Sequence, residues 1–154
     1  MKKVKLSLEI AKEMFNSSEP SIREFAILNY PELNAKITDR VKTFEDACKI
    51  KGIDPNSDFF TNSILENHEI ARRKIQTIIE VLNEGWKPNW DNSSETKYYP
   101  WFKWSSSGVG FSCHDCVCGN AAAGVGSRQV LKTKELAVYV GKQFESIYNT
   151  MLNF

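Results

Sequence analysis

No stretch of the 154-residue chain is an apolar run near the roughly 20 residues that a membrane-spanning helix needs. An excess of one charge is also missing. The 20 basic and 19 acidic side chains leave a net charge of +1, with no global pull toward nucleic acid, acidic substrates or anionic membranes. Histidine is scarce, with His68 and His114 alone. No internal repeat appears, and no linker divides the chain, so a single domain over residues 1–154 is expected. The basic start Met1-Lys2-Lys3-Val4-Lys5 meets Glu9 and Lys12 instead of the apolar core of an export signal, and a soluble cytoplasmic protein without membrane attachment is expected. What the chain does have is 42% apolar and 12% aromatic residues, enough to build one core.

The four cysteines are Cys48, Cys113, Cys116 and Cys118. Without an export signal, free thiols are the expectation. The run Cys113-His114-Asp115-Cys116-Val117-Cys118 holds side chains of the types zinc prefers, but residues 119–154 contain neither Cys nor His to complete a tetrahedron. Strand alternation would put His114, Cys116 and Cys118 on one face and Cys113 on the other. A centre at Cys113, Cys116, Cys118 and His114 would therefore need a bend, or help from Cys48 or His68. No metal or other cofactor is expected.

Hydrophobic spacing and caps outline the elements. Ser7 caps a helix carrying Leu8, Ala11 and Phe15, and Asn16-Ser17-Ser18 ends it. Ser18 caps the next, with Pro20 in its first turn, an apolar side of Ile22, Phe25, Ala26 and Leu28, and a stop at Tyr30-Pro31. Thr43 to Asp46 resembles a capping box for a helix ending at Gly52. A long helix is predicted from Ser63 to Glu84, with Ile64, His68, Ala71, Ile75, Ile78 and Leu82 in its stripe and Gly85 as C-cap. His68 then sits at the apolar edge, and Arg72-Arg73-Lys74 fan into solvent. Strands follow at about 98–104, 109–118 and 127–132, with a turn at 105–108 and a loop at 119–126. Thr133 caps a last helix with Leu136, Val140, Phe144, Ile147 and Met151 inward, and Lys142 and Glu145 outward. The expected fold is α+β. Residues 61–154 form a three-stranded antiparallel sheet flanked by the long and C-terminal helices, with short helices over residues 1–60.

All the tryptophans lie in residues 86–104, interleaved with lysines. On a strand, Tyr98, Phe102 and Trp104 share one face, while Tyr99, Trp101 and Lys103 share the other. A sheet buried on one side cannot hide both sets. Three readings follow: rings spent on the core, rings anchoring a protein interface, or rings stacking on bases while cations meet phosphates. The candidate binding residues are Trp86, Trp90, Lys97, Tyr99, Trp101, Lys103 and Arg128. Gly124-Val125-Gly126-Ser127-Arg128 reads as a hairpin loop and not as a phosphate cradle, because strand follows it instead of a helix.

No catalytic template assembles. Cys116 and His114 are strand neighbours without a converging element, and Glu80 and Glu84 read as solvated charge. The chain is expected not to be an enzyme.

The segments Trp86-Lys87-Pro88-Asn89-Trp90, Lys97 to Phe102, Val125 to Arg128, Glu135-Leu136-Ala137 and Tyr139 to Phe144, with Thr43 to Ala47 upstream, resemble a group of small proteins. These are encoded by phages and integrated mobile elements of gut Bacteroidales. The likeness spans most of residues 43–150 but not the cysteine run. The group has no assigned activity, so the resemblance implies a setting, that of a small accessory protein, and no catalytic residues. The expectation is a protein that binds a protein partner, or itself, through its aromatic segment. The alternative is binding or sequestering a nucleotide or single-stranded nucleic acid, with zinc binding as a third reading.

Overall fold

The computed structural model describes residues 6–105, 110–121 and 126–153. Most of the expected turn at 105–108, the start of the second strand at Val109, and part of the 119–126 loop lie outside these residues. The chain divides into two compact units, Met1–Arg40 and Val41–Phe154.

The first unit holds α1 (Leu8–Phe15), α2 (Pro20–Asn29), a 3-10 turn (Pro31–Asn34) and α3 (Ile37–Arg40). The Ser7 hydroxyl accepts from the Ile10 N–H at 3.3 Å, as a cap should. The second helix is entered through Glu19, without a side-chain cap; Ser18 does not cap it. α1 packs on α2, and Tyr30 Oη donates to the Leu6 carbonyl at 2.6 Å. Ala11 and Ala26 are buried, while Ile22, Phe25 and Leu28 of the expected apolar side are exposed.

The second unit begins with α4 (Phe44–Lys51) and α5 (Asp58–Thr61). The capping box at Thr43 is present. Asp46 accepts from the backbone N–H groups of Lys42 and Thr43, which holds its carboxyl below the usual aspartate range. Gly52 closes α4 with a φ of +71°, a conformation that costs glycine little.

The long helix, α6 (Asn67–Leu82), is shorter at both ends than its hydrophobic stripe suggested. It starts with a capping box between Glu66 and Glu69. Ile64 lies before it and is 88% exposed. His68 is exposed too, with Nδ1 3.2 Å from the Glu66 carboxylate instead of at a core edge. The first helical turn thus stays exposed and lines an open groove with Thr150 and Met151. Of the basic triplet, only Arg72 is exposed; Arg73 and Lys74 lie over the Phe59 and Phe44 rings, at 4.6 and 5.2 Å. At the C-terminal end the cap is Asn83, followed by Glu84 and Gly85 with positive φ. Ile75, Ile78, Ile79 and Leu82 form the centre of the core, with Leu131 and Val140.

The sheet is an antiparallel pair, β1 (Lys97–Ser105) and β2 (Gly110–Gly119). The expected third strand reduces to one bridge: Tyr98 N–H donates to Leu131 O at 3.0 Å and Leu131 N–H to Tyr98 O at 2.7 Å. The reason lies in β1. Extending that ladder would next pair residue 100 with residue 129, and Pro100 has no N–H to give. Gln129 instead closes a turn by donating to Gly126 O.

The predicted C-terminal helix is two, α7 (Lys134–Gln143) and α8 (Glu145–Leu152), broken at buried Phe144, whose φ of −114° leaves the helical range. The break lets α8 cap the outer edge of β2. Asn149 Oδ1 accepts from Phe111 N–H and Asn149 Nδ2 donates to Phe111 O, both at 2.6 Å. Glu145, expected in solvent, accepts from the Cys113 N–H at 2.8 Å. These side chains satisfy backbone groups that another strand would otherwise take.

Candidate functional site

The aromatic segment begins where α6 ends, and its conformation is organised by one lysine. Lys97 is 1% exposed. Its Nζ donates to the carbonyls of Asn89 at 2.6 Å, Asn92 at 3.1 Å and Glu95 at 2.8 Å. The Glu95 carboxylate lies 3.2 Å away and the Trp90 ring centre 5.4 Å away. Burial of an ammonium is tolerated only with such a full set of partners. Asn89 and Asn92 side chains accept from the N–H groups two residues on, folding the segment into successive tight turns. The ammonium of Lys97, a sequence candidate for contacting a ligand, is therefore turned inward and occupied by these carbonyls. Glu95 accepts from the Asn89 N–H and pairs with Lys97, and these, with a smaller contribution from Trp86, hold its carboxyl below the ordinary glutamate range.

The remaining candidates fall into two groups. Trp86, Trp90 and Arg128 come together along one groove of about 560 Å³, with Lys87, Pro88 and the end of α6. The bond network behind them is specific. Asn83 is buried at the end of α6; its Nδ2 donates to Val130 O at 2.9 Å and its Oδ1 accepts from Lys132 N–H at 3.1 Å. That amide clamps the 130–132 segment, so the Gly126–Gln129 turn holds Ser127 and Arg128 beside Trp86. The carboxylates nearby are already engaged: Glu80 with Lys51, Glu84 with Lys132 at 2.8 Å, and Glu95 with Lys97. Among the described residues, Lys87 and Arg128 have no ionic partner. Asn83 was missed by sequence reading, since an asparagine before Glu-Gly gives only the signal of a helix end.

Tyr99, Trp101 and Lys103 lie elsewhere, on the face of the ribbon turned away from Pro100, Phe102 and the α7 contact. Trp101 is 48% exposed and Lys103 is exposed, with Tyr99 half-buried beside them. Trp104 is 61% exposed at the far end, edge-on to Phe111 at 5.2 Å. The opposite face is spent on the core: Phe102 packs on Tyr148 with ring centres 4.6 Å apart, and Gly141 of α7 lies against Cys113 and Pro100.

The cysteine run departs from simple alternation. Trp101 pairs with Asp115, but Phe102 pairs with Cys113, so His114 is the extra residue of a β-bulge. Skipping one residue reverses the faces. Cys113, Cys116 and Cys118 stand opposite Phe102, Pro100 and Tyr98 on one face, whereas alternation had separated Cys113 from the others. Among the described residues, no three His, Cys, Asp or Glu side chains are placed to hold a metal ion. Burial raises the thiol pKa of both Cys113 and Cys116, which disfavours the thiolate a metal would need.

No protein-family model matches the chain, and no curated protein or solved structure matches it. The α+β class is what the fold defines. No helix among the described residues is long and apolar enough to cross a membrane.

Proposed function

We propose that this is a non-enzymatic accessory protein, in the phage or mobile-element setting its sequence resemblance implies, that holds a protein partner or a second copy of itself on the aromatic face of its ribbon. The observation that carries this reading is Trp101, half exposed in the middle of a strand whose other face is locked into the core. An indole held rigidly in water is what interfaces use as an anchor, since little side-chain entropy is lost when a partner covers it. Tyr99 and Lys103 flank it at alternate positions, giving an apolar centre with a polar margin.

The test compares the protein with Trp101→Ala, first for self-association by light scattering and then for capture of an identified partner. The substitution is at an exposed position and should cost about 0.5 kcal/mol or less in stability. Loss of the dimer or of the partner, with the unfolding midpoint kept, supports the reading. A partner or dimer retained undiminished by Trp101→Ala removes it.

A further inference from the structure

The groove at the end of α6 is separate from the ribbon face, and its composition calls for a different occupant. We propose that it binds a nucleoside phosphate, with the base against the indoles of Trp86 and Trp90 and the phosphate met by Arg128 and Lys87. Four observations converge on that chemistry. At about 560 Å³ the groove is in the range of small-molecule sites. Two indoles and Pro88 line it, which suits a flat ring that stacks. Its two unpaired cations, Lys87 and Arg128, flank those rings, while Glu80, Glu84 and Glu95 are each neutralised by a lysine that does not line the groove. The walls are also pre-set: Lys97 holds the 89–95 turns and Asn83 holds the 130–132 segment, so a ligand need order little of the chain. Arg128 supplies the planar fork that matches phosphate oxygens, and Ser127 adds a hydroxyl at the same turn.

A free nucleotide and the end of a nucleic-acid strand share this base-plus-phosphate chemistry. A groove built from one turn and one loop, with two cations, fits the free nucleotide. The experiment is calorimetric titration of the full chain with each of the four ribonucleoside 5′-monophosphates. The four matching nucleosides, inorganic phosphate and a ten-nucleotide single strand are run in parallel. Saturable binding of at least one monophosphate is expected, with its nucleoside and phosphate alone each at least about tenfold weaker. Arg128→Ala should weaken binding about tenfold, and rising salt should weaken it further. Trp86→Ala should abolish it, and Trp101→Ala should leave it unchanged. Arg128 is exposed, so its variant tests the site without risking the fold. Absence of saturable binding by all four monophosphates overturns the proposal, as does binding undiminished by Arg128→Ala. Phosphate alone binding as well as the nucleotide would reduce the site to an anion patch, and a strand binding far more tightly than any monophosphate would replace the free nucleotide with nucleic acid.

Discussion

The ammonium of Lys97 stands 5.4 Å from the centre of the Trp90 ring, with the carbonyls of Asn89, Asn92 and Glu95 completing its shell. A single buried charge thereby decides the path of the chain between α6 and β1, and with it one wall of the groove. Lys97→Met keeps the aliphatic stem but removes the donor. It leaves three carbonyls and a carboxylate without their shared partner. The variant should be destabilised by about 3 kcal/mol in urea titration. Limited proteolysis should find new cleavage within 86–96, and an unchanged urea midpoint would deny Lys97 this role.

The acid side of the stability profile should carry the signature of Glu95. Its carboxyl is held low chiefly by the Asn89 N–H, with Lys97 and Trp86 adding to it. A carboxyl depressed in the folded state contributes its full stability above the unfolded-state pKa, about 4.3, and loses it as the pH falls through the lower folded value. Thermal melts from pH 7 down to pH 3 should therefore fall less steeply in Glu95→Gln than in the parent. Asp46, Asp115 and Glu135 are also held low and supply the acid limb that remains.

Gly141 marks the closest approach of α7 to the ribbon. A methyl group there would overlap Cys113 Sγ and lie 2.7 Å from Pro100 Cβ. Alanine raises intrinsic helix propensity by up to about 1 kcal/mol, so the substitution would stabilise a free helix. Here overpacking should win, with a net loss of about 2 kcal/mol in the unfolding free energy. Adding Cys113→Ala removes the sulfur and should recover part of that loss. No recovery in the double variant would mean that Pro100 alone sets the distance.

The thiols should separate by reactivity. Cys118 is exposed, Cys116 is half-buried with a raised pKa, and burial raises the pKa of both Cys113 and Cys48 within the core. Titration with a thiol reagent at neutral pH should label Cys118 first and Cys116 more slowly. Cys48 and Cys113 should react only once denaturant is added. Mass mapping of the singly labelled species identifies the fast site. Fast labelling of Cys113 would mean that α7 lifts from the ribbon in solution.

Much of the architecture could be read from local pattern. The Ser7 and Thr43 caps, the α4 stop at Gly52, the stripe of Ile75, Ile78 and Leu82, and the pairing of two aromatic and cysteine-bearing strands each follow from residue spacing and terminal chemistry. Where pattern misled, a long-range partner was responsible. His68 continued the stripe on paper, but it lies exposed in the first turn of α6, beside an open groove shared with the end of α8. Residues 127–132 had the composition of a strand, yet Pro100 on the neighbouring strand withheld the N–H the ladder required. Strand alternation misplaced Cys113 because a bulge at His114 depends on the partner strand and leaves no mark on its own.

The candidate binding residues show the same division. Sequence alone determined that the rings cluster in residues 86–104 and that both strand faces carry them, because side-chain direction along a strand follows from period two. It could not say that Lys97 faces inward, since burial of a lysine depends on carbonyls presented by a loop that must first fold around it. Nor could it bring Arg128 to Trp86. That meeting is made by the Asn83 amide across more than 40 residues of chain, and only the packing of α6 against the 130–132 segment puts its two partners within reach.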